Sequence, residues 1–128
     1  MDTLRFLTPE NLEQIRMEFE TPTFVYDEAT LRTNAQAVKE FPNAFGLFPR
    51  YAMKAAPTSA IVRIFNDEGL GIDASSGFEV ERAVSSGVGT ELISMSTQEF
   101  PDHFRYWIQD GIKVNLCSIQ QIHKFGQW

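Results

Sequence analysis

The stretch Phe48-Pro49-Arg50-Tyr51-Ala52-Met53-Lys54-Ala55-Ala56-Pro57-Thr58-Ser59 sets a primary amine where chemistry is possible. Its apolar positions read as a buried strand ending at Lys54, and the Pro57-Thr58-Ser59 turn that follows can open a helix. Lys54 thus falls at the carboxyl end of a strand, the position at which parallel α/β folds assemble their sites. Most lysines are solvated surface residues, so the amine by itself says little. Its neighbours Ala52, Ala55 and Ala56 add to it, because small side chains leave room for a bulky group beside the amine. An amine attacks a carbonyl only after losing its proton, which desolvation favours and a neighbouring carboxylate opposes. Asp73 is the candidate for that neighbour. It sits mid-strand between Ile72 and Ala74, where a parallel sheet is expected to be apolar on both sides and a carboxylate needs a partner. Lys54 on the preceding strand is the nearest candidate in register. A hydrogen-bonded structural aspartate at a strand end accounts for the same spacing.

Other constellations carry less. Gly69-Leu70-Gly71-Ile72-Asp73-Ala74 fits a loose G-x-G-x-x-A pattern, but here a helix precedes it and its second half is itself a strand. The nucleotide-binding reading needs the reverse order, so the two glycines are read as ending a helix and turning the chain. His103 and His123 fall on separate helices without the partners a metal site needs. No G-x-S-x-G elbow and no phosphate-binding P-loop is present. Cys117 is the single cysteine, so an internal disulfide and a thiolate metal cage are excluded, and it is expected to act as a small buried apolar residue.

The elements that must position Lys54 and Asp73 follow from periodicity. Thr8 caps a first helix with Pro9 at its first position and Leu12, Ile15 and Phe19 on one face, broken by Glu20-Thr21-Pro22. Thr23-Phe24-Val25-Tyr26 reads as a strand, and Asp27 caps a second helix carrying Leu31, Ala35 and Val38. From Lys54 a unit recurs about every 21 residues: strand, capping serine, helix, terminal glycine. The strands are expected at Gly71–Ser75, Glu91–Met95 and Lys113–Cys117. The helices between and after them carry Ile61, Ile64 and Phe65, then Val80, Ala83 and Val84, then Phe100, Phe104, Trp107 and Ile108, then Ile119, Ile122 and Phe125. Capping boxes are read at Ser76–Glu79, Ser96–Glu99 and Ser118–Gln121. Pro101 conflicts with the middle one, since a helix opening at Ser96 would carry it late, so that helix is expected to begin nearer the proline.

Consecutive βα units demand parallel strands with right-handed crossovers, either as an open doubly wound sheet or as a (β/α)₈ barrel. A barrel takes about 250 residues. The 128 residues present supply about half of one, and the sequence is expected to be part of a longer protein. Formal net charge is -6, which makes nucleic acid and anionic membranes poor partners. No apolar run approaches the length of a membrane span and no signal-peptide core is visible, so a cytoplasmic location is expected.

Three blocks carry a resemblance: Thr21-Pro22-Thr23-Phe24-Val25-Tyr26-Asp27, Tyr51-Ala52-Met53-Lys54-Ala55, and Gly71-Ile72-Asp73-Ala74-Ser75-Ser76-Gly77-Phe78-Glu79-Val80-Glu81-Arg82-Ala83. In this order and spacing they resemble the alanine-racemase-fold, pyridoxal-phosphate-dependent decarboxylases, nearest the diaminopimelate branch, with ornithine and arginine decarboxylases as relatives. The resemblance implies an α/β fold: the first part of a (β/α)₈ TIM barrel of alanine racemase type over residues 28–128. Residues 1–27 would then be a helix and strand associated with a separate β-domain. It implies pyridoxal 5'-phosphate as cofactor, joined to Lys54 as a Schiff base, with Asp73 and Ala52 beside it. The implied reaction is decarboxylation of a basic or diamino amino acid, foremost meso-diaminopimelate to lysine, in a homodimer that the fragment alone could not replace. A racemase, or a non-catalytic pyridoxal-phosphate-binding homologue of the same fold, is the alternative. The family's phosphate loop, its acidic partner of the pyridine nitrogen, its ring-stacking histidine and its catalytic cysteine belong to later portions. The family also commonly carries an Asn- and Lys-containing stretch where this chain reads Ser94-Met95-Ser96-Thr97-Gln98.

Overall fold

The computed structural model describes residues 6–128. Ten regular elements follow in order: α1 (Pro9–Phe19), α2 (Glu28–Lys39), β1 (Arg50–Ala52), α3 (Ser59–Asp67), β2 (Gly71–Ala74), α4 (Gly77–Ser85), β3 (Ile93–Thr97), α5 (Phe104–Gln109), β4 (Lys113–Leu116) and α6 (Ile119–Gly126). The four strands form one sheet in the order β1-β2-β3-β4, and every pair is parallel. Sequential order with a helix after each strand is the start of a barrel rather than the reversed order of a doubly wound sheet.

Strand alternation divides the sheet into two unlike faces. Tyr51, Ile72, Ala74, Ile93, Met95, Val114 and Leu116 point to the helix side. There they pack with Val62 of α3, Val80 and Ala83 of α4, and Phe104 and Trp107 of α5. Ile72, Ile93, Met95, Val62 and Val80 are completely buried; a fully buried aliphatic side chain contributes roughly 1.5–3 kcal/mol relative to exposure. A second cluster of Ala35, Ile61, Phe65 and Leu70 joins α2 to α3. Arg32 strengthens that join with an ion pair to Glu68 at 2.8 Å, and Lys39 Nζ donates to the Glu68 carbonyl at 2.7 Å. Hydrogen bonding from Arg32, then from Gln36, holds the Glu68 carboxyl below its ordinary range.

Local chemistry explains the helix starts. Thr8, Asp27, Ser76 and Ser118 each accept a hydrogen bond from a backbone N–H three residues on. In α4 and α6 the returning side chain reaches one residue further back than a standard capping box. The Ser75 N–H donates to Glu79 Oε2 at 2.6 Å, and the Cys117 N–H donates to Gln121 Oε1 at 2.5 Å. Gln121 Nε2 also donates to the Thr97 carbonyl at 2.7 Å, tying α6 to the end of β3. Gly69, Gly87 and Gly111 take φ of 86°, 92° and 100°, the left-handed region that ends a helix without a Cβ clash.

Several expectations change. Ser96 caps nothing: β3 runs on through Thr97, and α5 opens only after Pro101, as the proline requires. Thr23–Tyr26 forms no ladder, because no other strand among the described residues lies beside it, and Phe24 is 90% exposed. Cys117 is exposed rather than buried, since it lies just past the last paired residue of the edge strand β4. On α6, Ile119, Ile122 and Phe125 are exposed and Gln121 is buried, because among the described residues no further unit packs beyond β4.

Gly71 opens β2 where the backbone is most crowded. A Cβ there would lie 2.7 Å from the Leu92 carbonyl oxygen and 2.7 Å from the Phe48 ring. Gly71→Ala is therefore expected to cost about 1–3 kcal/mol, as overpacking does. Thermal or denaturant unfolding measures it, and a variant as stable as the parent would mean that this strand start is not tightly packed.

Candidate functional site

The second face of the sheet carries most of the strands' polar side chains. Arg50 and Ala52 from β1, Gly71 and Asp73 from β2, Ser94 and Ser96 from β3, and Lys113 and Asn115 from β4 occupy the alternate positions. Ala52 pairs with Asp73, Asp73 with Ser94, and Ser94 with Lys113, so these four lie along one row. Ser96 and Asn115 lie along the next row towards the carboxyl ends. The expectation that Asp73 stands alone in a sheet apolar on both sides is thus corrected: only the helix-facing side is apolar.

Asp73 has its partner on this face, and it is not the lysine. Ser96 Oγ donates to Asp73 Oδ1 at 3.1 Å, and Asn115 Nδ2 donates to Ser96 Oγ at 2.7 Å, so a line of hydrogen bonds crosses β2, β3 and β4. The residues involved sit at spacings of 23 and 19. Ser96 and Asn115 were hidden because Ser96 reads equally well as a helix cap. A signal existed in the sequence: Ser94 and Ser96, then Lys113 and Asn115, are polar at alternate positions of consecutive strands, with the parity of Asp73.

Lys54 lies just beyond β1 rather than within it, in the 3₁₀ turn Met53–Ala55. Met53 is completely buried and anchors the turn, while Lys54 is exposed. No carboxylate among the described residues lies within ion-pair distance of it. The geometric link to Asp73 is through the backbone: Ala52, two residues before Lys54, is the register partner of Asp73.

The turn bearing the amine is clamped from below. Tyr51 stacks on Phe65 of α3 with ring centroids 4.1 Å apart, and its hydroxyl donates to the Ala56 carbonyl at 3.2 Å, spanning Lys54. Burial, the largest influence, pushes the Tyr51 phenol up. At the opposite end of the same sheet face the Phe48 ring lies under two cations, Arg50 at 4.8 Å and Lys113 at 5.7 Å from its centroid. Arg50 Nε is buried there without a hydrogen-bond partner among the described residues.

A cleft of about 430 Å³ opens at the carboxyl ends of β2 and β3 between the start of α4 and the segment before α5. Its wall includes Phe78, Glu81, Glu99, Asp102 and His103, but neither Lys54 nor Asp73. Phe48 lies over the amino end of the polar side at Gly71, and Ser94 is buried there, while neither Lys54 nor Asp73 lines a described cleft. His123 lies apart from His103 on α6, and no described group of three His, Cys, Asp or Glu side chains could hold a metal ion.

The residues present fit an aldehyde cofactor by their chemistry. A primary amine without an ion-pair partner among the described residues stands at the strand ends, with alanines on either side of it in sequence, beside a face whose carboxylate accepts a hydrogen bond from Ser96.

Comparison with known proteins agrees with this fit. Residues 29–128 match the family model described as pyridoxal-dependent decarboxylase, pyridoxal binding domain. The chain is 29% identical to the diaminopimelate decarboxylase of Escherichia coli K12 over 94% of its length and 31% identical to that of Zymomonas mobilis over 91%. It spans 29% of each of these relatives. Among solved structures, the lysine/ornithine decarboxylase from Vibrio vulnificus complexed with putrescine superposes with a TM-score of 0.81 at 25% identity, covering 94% of this chain and 34% of that one. The fold is thus the first part of that decarboxylase barrel, as expected.

Tyr51→Phe removes the hydroxyl that clamps the turn and is expected to cost about 1 kcal/mol, the net worth of one hydrogen bond. Because the folded phenol titrates above the free one, the difference from the parent should persist at neutral pH and vanish as pH rises through the raised value. Denaturant unfolding at neutral and strongly alkaline pH reads both, and a difference that grows with alkali would refute the clamp. By the match over residues 29–128, the chain belongs to the pyridoxal-dependent decarboxylase family and carries part of its pyridoxal binding domain.

Proposed function

We propose that the protein carrying this chain decarboxylates a diamino or basic amino acid with pyridoxal 5'-phosphate, converting meso-diaminopimelate to lysine. The observation that supports it most is the position of Lys54 at the carboxyl end of β1, in register through Ala52 with Asp73, in a chain whose relatives are diaminopimelate decarboxylases. Residues 28–128 are read as the cofactor-holding part. Residues 1–27, of which the first five lie outside the described residues, are read as packing on a β-domain elsewhere in the protein. The exposed Phe24 and Tyr26 suit such a cover. A homodimer is part of the same reading.

Lys54 would hold the cofactor through Nζ, whose amine must give up a proton before it can act as a nucleophile. The Met53 anchor and the Tyr51–Ala56 clamp hold the turn so that Nζ is presented at the strand ends. Ala52 and Ala55 leave space beside it, and Asp73 contributes a fixed negative charge on the same face. When bound, pyridoxal phosphate supplies the electron sink that accepts the electron pair left behind as the substrate carboxylate departs. Once free of the cofactor, Lys54 Nζ at the strand ends would be placed to move a proton during product release.

The whole protein loaded with pyridoxal 5'-phosphate is expected to show a visible absorption band that Lys54→Ala abolishes, together with CO₂ release. An unchanged band in that variant would eliminate Lys54 as the attachment point. Carbon dioxide release from meso-diaminopimelate, set against ornithine, arginine and lysine, identifies the substrate. Faster turnover of ornithine or lysine would replace diaminopimelate in the reading, and racemisation without CO₂ would replace decarboxylation.

A further inference from the structure

We propose that Ser96 is a positioning residue for the cofactor site: it fixes the Asp73 carboxylate in one orientation and is itself fixed by Asn115. This rests on the reading of Lys54 and Asp73 given under Proposed function and adds two residues to it. Ser96 lies on β3 and bridges the strands on either side, donating to Asp73 Oδ1 at 3.1 Å and accepting from Asn115 Nδ2 at 2.7 Å.

The direction of the line is forced by chemistry. A carboxylate can only accept, so the single hydroxyl proton of Ser96 must go to Asp73. The hydroxyl oxygen is then left as an acceptor, and the Asn115 amide must present its NH₂ rather than its carbonyl. With Oδ1 engaged, Oδ2 is the oxygen left to act on a group bound beside Lys54. Without Ser96, Asp73 would stand on an open polar face with no side chain to hold its rotamer. The helix-facing side of β3 adds rigidity, since Ile93 and Met95 are completely buried and fix the strand from which Ser96 projects.

A hydroxyl placed to serve packing would behave differently from one placed to orient a charge. Ser96 is half-buried at the carboxyl end of β3 and its side chain is small, so truncating it removes little packing. Loss of a hydrogen bond to a charged group is worth about tenfold in an equilibrium constant. Pyridoxal 5'-phosphate affinity is therefore expected to weaken about tenfold in Ser96→Ala, with only a small fall in the melting temperature of the cofactor-free protein, which Ser96→Thr does not share.

The test uses the whole protein, titrated with pyridoxal 5'-phosphate by absorbance in the parent and in Ser96→Ala, Ser96→Thr, Asp73→Ala and the Ser96→Ala/Asp73→Ala double variant. The inference is supported if Ser96→Thr keeps near-parental affinity, Ser96→Ala loses it, and Ser96→Ala adds nothing once Asp73 is gone. It is overturned alone if Lys54→Ala abolishes uptake while Ser96→Ala binds like the parent, or if the two losses simply add. A lowered melting temperature shared by Ser96→Ala and Ser96→Thr would make Ser96 a packing residue and overturn it too. Failure of the unaltered protein to take up pyridoxal phosphate overturns the underlying reading and this inference together.

Discussion

A parallel strand has two faces and can spend only one of them on the helices that connect it. In this chain β2, β3 and β4 direct their large aliphatic residues to the helix side, where Ile72, Ile93 and Met95 are sealed by α3, α4 and α5. The alternate residues are thereby committed to the other side, and they are Asp73, Ser94, Ser96, Lys113 and Asn115. A one-residue slip of β2 or β4 would send a carboxylate or an amine into the helix-facing core and an isoleucine or valine into the polar row. The burial of one face therefore fixes the register of the other, and the placement of the site follows from the packing of the core.

The lysine depends on the same constraint one step removed. Strand β1 is only Arg50–Ala52, and its three residues set where the chain leaves the sheet. Tyr51 faces the helices and stacks on Phe65, Ala52 faces Asp73, and the buried Met53 turns the chain so that Lys54 emerges at the rim. The clamp from Tyr51 to the Ala56 carbonyl closes this turn over the amine. Amine and carboxylate are thus held by different devices, a turn for one and a hydrogen-bonded row for the other, on neighbouring strands.

The exposed apolar residues show where this unit ends as a packing object. Ile119, Ile122 and Phe125 on α6 and Phe24 and Tyr26 near the start are hydrophobic and uncovered. Their exposure is of one kind with the open polar face. Each is a surface that a barrel covers with further βα units or a neighbouring domain, and the chain spans less than a third of the curated relatives it matches.

The sequence by itself determined the βα repeat, the parallel order, and the helix starts at Thr8, Asp27, Ser76 and Ser118, because caps, glycines and hydrophobic period are local and act within a few residues. It also picked out Lys54 and Asp73, through small neighbours and a charge in an apolar strand. Only the tertiary structure decided that Ser96 belongs to a strand and reaches Asp73, since whether a serine caps a helix or pairs across a sheet depends on residues about twenty positions away. The same holds for Cys117 and the apolar side of α6. Their patterns suit burial, but burial needs a neighbour, and whether one exists beyond the edge strand is a property of packing rather than of local spacing.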